Sequence, residues 1–167
     1  MARIQITVLF VLSMFLFVGT GSQASAQSFA CPVTKPNGKM APGQTQDTMG
    51  GQWYGNGDMW TLLWPDGTVK VVSPGGPGEV LEDGSLSMKF PWWLGPRAEG
   101  KLTITGKRLD AWAPPLRARI PDGYGPHFQA TGLVFPMEGC WEITGRAGHA
   151  SLTFVTRVVK IQATQQR

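Results

Sequence analysis

The chain has little of what local chemistry needs. Two histidines, two cysteines and two tyrosines occur in 167 residues, and only 16% of the side chains are charged. His127 and His149 stand apart from any nucleophile motif, and there is neither a Gly-x-Ser-x-Gly elbow nor a His-Glu-x-x-His pair. No His or Cys cluster has zinc-ligand spacing. Met40, Met49, Met59, Met88 and Met137 are too irregular for a copper site, and "NGDMW" is too sparse for a calcium loop. No catalytic residue, metal or cofactor is therefore expected. The formal net charge of +4 is scattered, with no run of five or six basic residues, so nucleic acid is not an expected partner. No fixed-period repeat is found, which counts against a propeller or β-helix. No window of eleven residues carries apolar side chains at helical spacing.

What is present begins with a leader. Arg3 gives a positive n-region, Ile4 to Val18 is mainly apolar, and Ala24-Ser25-Ala26 offers small residues for cleavage before Gln27. A membrane anchor would need an apolar run of about 20 residues, longer than this one. The expected organisation is a signal peptide over 1–26, an irregular Gly/Pro-rich arm over 27–51, and one domain over 52–167. Both cysteines lie in the exported part, where two thiols pair into a disulfide, Cys31 with Cys140. The alternative use of Cys31 is a lipid anchor. A lipid-bearing cysteine normally has a Leu-like residue three positions earlier, and here that position is Ser28.

Beyond the arm, Gly and Pro punctuate short alternating runs. "MWTLLWPDGTVKVV" places Trp60, Leu62 and Trp64 at period two before a Pro-Asp-Gly turn and a β-branched run, the pattern of a hairpin. "SLSMKF" sets Leu86, Met88 and Phe90 on one face, and Pro91 is expected to stop that strand. "KLTIT" alternates through Leu102 and Ile104, "PLRARIP" sets Arg117 and Arg119 opposite Leu116, Ala118 and Ile120, and "HFQATGLVF" forms a further run. Cys140 to Thr144 and Ala150 to Ile161 supply the last strands. Seven to nine short strands at this spacing predict an all-β antiparallel two-sheet sandwich with one face of each sheet buried. The expected core is Trp60, Leu62, Trp64, Leu86, Met88, Leu102, Ile104, Trp141, Ile143, Leu152 and Phe154.

"WPDGTV", "DGSLSMKFPWW", "GKRLDAWAPPLRARIPDGYG", "FQATGLVFPMEGCWEITGRAG" and "SLTFVTRVV" together resemble a family of small exported bacterial proteins. The Phe-Pro-x-x-Gly-Cys-Trp-Glu segment is the most specific part of the likeness. The resemblance implies an immunoglobulin-like sandwich in a secreted or periplasmic protein, and it brings no catalytic residue with it.

In the strand from Cys140, burial of Trp141 and Ile143 turns Cys140 and Glu142 to the opposite face. The disulfide then reads as a staple holding the arm against the outside of a sheet. Adjacent Trp92 and Trp93 cannot share a face of an extended chain, and Pro91 before and Gly95-Pro96 after suggest a loop or strand end. They act either as an apolar plug at the sandwich end or as a platform for a sugar ring or a partner's apolar patch, with Arg97 and Tyr124 adding polar contacts. Function is thus expected to be non-enzymatic: an exported module with a binding or structural role in the cell envelope or outside the cell and an unidentified protein or glycan partner, or alternatively a carbohydrate-binding or accessory protein using that platform.

Overall fold

The computed structural model describes residues 29–45, 50–73, 76, 78–125 and 127–162. The expected signal peptide and its cleavage site lie outside the described residues. Among the described residues ten strands form two sheets that pack face to face. The strands are β1 (Gln52–Gly55), β2 (Met59–Leu63), β3 (Thr68–Ser73), β4 (Glu79–Val80), β5 (Leu86–Leu94), β6 (Thr103–Arg108), β7 (Arg117–Arg119), β8 (Phe128–Phe135), β9 (Gly139–Ala147) and β10 (Ala150–Gln162). One sheet runs β1-β2-β5-β8-β7, with β4 beside β5, and the other runs β3-β10-β9-β6. Neighbours are antiparallel with one exception. β10 runs parallel to β3, pairing Arg157 with Thr68 and Val159 with Lys70, because β3 arrives from the other sheet rather than by a hairpin.

That crossover corrects the hairpin expected at Pro65-Asp66-Gly67. β2 belongs to the six-stranded sheet and β3 to the four-stranded one. The residues between them form a single 3-10 turn in which Asp66 (φ 56°) and Gly67 (φ 62°) both take left-handed conformations. The turn itself is tight, closed by the Thr68 amide on the Pro65 carbonyl; what departs from a hairpin is the pairing beyond it, where β3 joins β10 instead of β2. A side chain on Gly67 would also collide with Val33, so the arm seats directly on this turn.

Pro91 does not end its strand either. β5 continues through it to Leu94, pairing with β8 throughout, from Leu86 opposite Phe135 to Trp93 opposite Phe128. On the other edge of β5, β4 pairs only as far as Ser87 and β2 only from Trp92 onward. Pro91 falls in the gap between the two ladders, where a residue without an N–H is tolerated.

Between the sheets lie Leu86, Met88, Leu102, Ile104, Trp141, Ile143, Leu152 and Phe154, all buried, together with Phe90, Trp92 and Phe135. Rings cross the interface, with Phe90 stacked on Phe154 at 5.6 Å and Phe135 edge-on to Trp141 at 5.6 Å. Trp141 donates its indole N–H to the Met137 carbonyl at 3.1 Å, so its polar atom is satisfied inside the core. β2 departs from the expected phase. Met59, Thr61 and Leu63 face the inter-sheet core, while Trp60 and Leu62 are buried on the outer side with Trp53 and Ala41. Trp64, past the strand end, is half-buried against the main core.

Cys31 and Cys140 are bonded, with their Cα atoms 5.5 Å apart. Cys140 is buried on the face of β9 opposite Trp141, outside the main core cluster, where the arm begins. From there the arm closes one open side of the sandwich. The Thr34 amide donates to the Val155 carbonyl, and the Val155 amide to the Thr34 hydroxyl. Tyr54 Oη and Asn56 Nδ2 donate to the carbonyls of Thr153 and Ser151 further along β10. Asn37 and the Gly38 amide then bond the free edge of β1 at Gly55 and Trp53. Both edges are thereby capped without a further strand, which removes templates for edge-to-edge association.

Candidate binding face

The outer surface of the six-stranded sheet carries a strip of aromatic rings. Trp53 of β1 lies 4.6 Å from Trp93 of β5, Trp93 lies 5.1 Å from Phe128 of β8, and Phe128 meets Tyr124 edge-on at 5.5 Å. Register creates this strip, because Trp60, Trp93 and Phe128 sit opposite one another on β2, β5 and β8. Accessibility rises along it. Trp53 and Trp60 are covered by the arm around Ala41, and the Trp53 indole donates to the Thr45 carbonyl. Trp93 and Phe128 are half-buried, and Tyr124 is 45% exposed.

The four residues expected to form a ligand site are therefore not one group. Trp93 and Tyr124 come together through Phe128. Trp92 is corrected: it is fully buried on the opposite face of β5, against Phe154, and it cannot touch a ligand. Its ring lies over Gly145, where an added Cβ would come within 2.5 Å. Both tryptophans lie at the end of a regular strand, so of the loop or strand end expected for them it is the strand end that is found. Alternation separates them, one into the core and one onto the surface. Arg97 follows β5 and binds Asp58 at 2.7 Å, beside the turn where the Gly95 amide meets the Asp58 carbonyl. Phe128 and Trp53 were not expected at the strip. Their sequence neighbourhoods show ordinary strand residues, and only the register of β5 on β8 and the packing of β1 bring them to Trp93.

Other features of the surface are less suited to a ligand. A cleft of about 370 Å³ beside the disulfide is lined by Phe29, Arg108, Asp110, Glu138 and Arg157. Its charges largely engage one another. Arg108 binds Asp110 at 2.6 Å and holds that carboxyl below the usual carboxylate range, Asp110 also accepts from the Cys140 amide, and Glu138 accepts from the Lys160 amide. Trp112, on the connection between β6 and β7, is 85% exposed and makes no ring contact with the strip. His127 and His149 are both exposed, and His127 Nδ1 lies 3.1 Å from the Leu94 carbonyl. Among the described residues no three His, Cys, Asp or Glu side chains gather as a metal ion requires, and no helix is long and apolar enough to cross a membrane. Compared with protein-family models, curated proteins and solved structures, the chain finds no match.

Proposed function

We propose that the protein is an exported, non-enzymatic β-sandwich module of immunoglobulin-like kind, and that it works by binding. Export is supported by the leader pattern of residues 1–26 and by a disulfide, which persists in oxidising compartments such as the periplasm or the exterior. The binding role rests on one observation, the strip in which Trp93 and Tyr124 share Phe128 on an open sheet face. A protein whose arm covers Trp53 and Trp60 yet leaves this end of the same strip accessible has surface suited to a partner.

Within that class the strip favours a carbohydrate. Half-exposed rings on a rigid sheet offer flat apolar faces with little conformational entropy to lose, which suits the C–H faces of a sugar. Titrating the protein with cell-wall glycans and common polysaccharides while following tryptophan fluorescence tests this. A saturable change, abolished by Trp93→Ala or Tyr124→Ala in a folded protein, is the expected result. No response to any glycan rejects the carbohydrate reading and leaves a protein partner, to be sought by affinity capture.

A further inference from the structure

Resting on the carbohydrate reading of this face, we propose that the ligand is an anionic polysaccharide, with Lys89 and Arg119 receiving its acid groups while its rings run over Trp93, Phe128 and Tyr124. The cations are placed by register. Lys89 of β5 is opposite Gly132 of β8, and Gly132 is opposite Arg119 of β7. The three form one row across three strands. Lys89 lies four residues from Trp93 and Gly132 four from Phe128, so this row shares its face with the aromatic strip.

The middle of that row is open. A Cβ built on Gly132 would meet only the Cβ of Arg119, at 3.9 Å, and the backbone there is not left-handed. Neither packing nor conformation requires glycine at this position. Glycine inside a strand costs stability, and one natural use for it is the close approach of a ligand. Between Gly132 and Phe128 the next pair along is Pro91 opposite Ala130, again short side chains. Pro91, Ala130 and Gly132 thus floor a shallow trough with rings at one end and two cations at the other. Four residues of extended chain put Lys89 about 13 Å from Trp93, the length of a short oligosaccharide rather than of one sugar.

Charge complementarity selects the ligand. Lys89 and Arg119 are exposed, and neither side chain has an ion pair or hydrogen bond among the described residues. Arg117, one step along β7 on the same side, is already held by Asp83 at 2.9 Å and by Ser85. Glu79, opposite Ser87, is an acid on this face, and it makes no ion pair with Lys89. Two cations flanking Gly132 at one end of the trough match a polymer that presents its acid groups there while its rings continue toward Trp93. They are too few for the dense phosphates of nucleic acid, which draws many contacts along its backbone.

The test compares polygalacturonate, a carboxylated polymer, and heparin, a sulfated one, with neutral dextran and ring-free polyphosphate. Calorimetry and tryptophan fluorescence would follow binding to the whole mature chain at low and high salt. An acidic glycan should bind most tightly and weaken with salt, and the preferred polymer decides between carboxylate and sulfate. Exposed ion pairs are worth up to about 1 kcal/mol, so Lys89→Gln and Arg119→Gln should each weaken binding up to about fivefold, and together up to about twenty-five-fold. Gly132→Val suits the strand and should abolish binding without unfolding, because its side chain fills the trough. Trp112→Ala should change nothing. Dextran binding as well as polygalacturonate, with no effect of the double charge variant, overturns the anionic assignment while the platform reading survives. Polyphosphate matching the glycans, or undiminished binding by Gly132→Val, overturns the trough. Binding that survives Trp93→Ala and Tyr124→Ala, or is lost in Trp112→Ala, overturns the platform itself.

Discussion

Two adjacent tryptophans should fail in opposite ways. Trp92 is fully buried between the sheets, over Gly145 and against Phe154, whereas Trp93 is half-buried on the outer face against Trp53 and Phe128. Trp92→Ala removes the whole ring from a packed core, and backbone at Gly145 cannot collapse far into the space. Large-to-small changes of that kind cost ~3–5 kcal/mol. Trp93→Ala loses only the covered part of its area, on the order of 1–2 kcal/mol at ~25 cal/mol per Å². A domain of this size is stable by ~5–15 kcal/mol, so the first variant consumes much of the margin. In urea, with a slope of ~2 kcal/mol per M, the midpoint should fall about 2 M for Trp92→Ala and about 0.5–1 M for Trp93→Ala. Glycan titration supplies the second readout: folded Trp93→Ala loses the response, and Trp92→Phe keeps it. Equal midpoints, or a larger drop for Trp93→Ala, would mean that β5 does not pass straight through Pro91 and that the aromatic strip is wrongly assigned.

Trp141→Ala should be at least as destabilising as Trp92→Ala, because it also strands the Met137 carbonyl, while the Trp92 indole has no hydrogen-bond partner among the described residues to lose. Converting Cys31 and Cys140 to alanine reopens a loop with a sequence separation of 109 and should lower stability by ~4–5 kcal/mol in the chain-entropy model, read as a denaturation midpoint with and without reductant. Asp83 is held down to about 2 from an ordinary 3.8, chiefly by hydrogen bonds from the Ser85 hydroxyl and amide and then by Arg117. Its folded value lies below its unfolded one, so its contribution is present above about pH 4 and fades as pH falls toward 2; Asp83→Asn should flatten that part of the acid-stability curve. Tyr54→Phe removes the donor to the Thr153 carbonyl and should cost about 0.5–1.5 kcal/mol, measured in the same midpoint assay.

Sequence reading succeeded where one strand face is dry and the other wet. Leu86, Met88 and Phe90 alternate with residues that reach solvent, and their burial follows that pattern. It failed in β2, whose five residues are all buried because the arm covers the face away from the core. There the larger side chains, Trp60 and Leu62, suggested the core, yet Met59, Thr61 and Leu63 occupy it, with the Thr61 hydroxyl spent on the Pro91 carbonyl. Pro91 and the Pro-Asp-Gly turn were read as punctuation within one sheet. The first sits in a gap between two ladders, and the second passes the chain between layers. The disulfide was legible by counting, since only two cysteines exist. The trough was not, because Lys89, Gly132 and Arg119 meet only through the pairing of three strands that are distant in the chain.

The same arm that obscured β2 also sets how much of the outer face of the six-stranded sheet is open. It starts at the disulfide on the outside of β9, crosses the open edge between β10 and β1, and ends over Trp53, Trp60 and Leu62. The disulfide fixes its starting point and the bonds of Thr34, Asn37 and Gly38 fix its path, so little freedom remains in how far its described part reaches across the sheet. Without this cover the sheet would expose one continuous apolar strip from Trp53 to Tyr124, wide enough to invite non-specific association. With it, the strip is cut to the rings that adjoin the Pro91, Ala130 and Gly132 floor. The staple therefore does more than close a loop: by holding the arm on the β1 and β2 half, it leaves accessible the β5 and β8 half, where aromatic rings and exposed cations lie side by side.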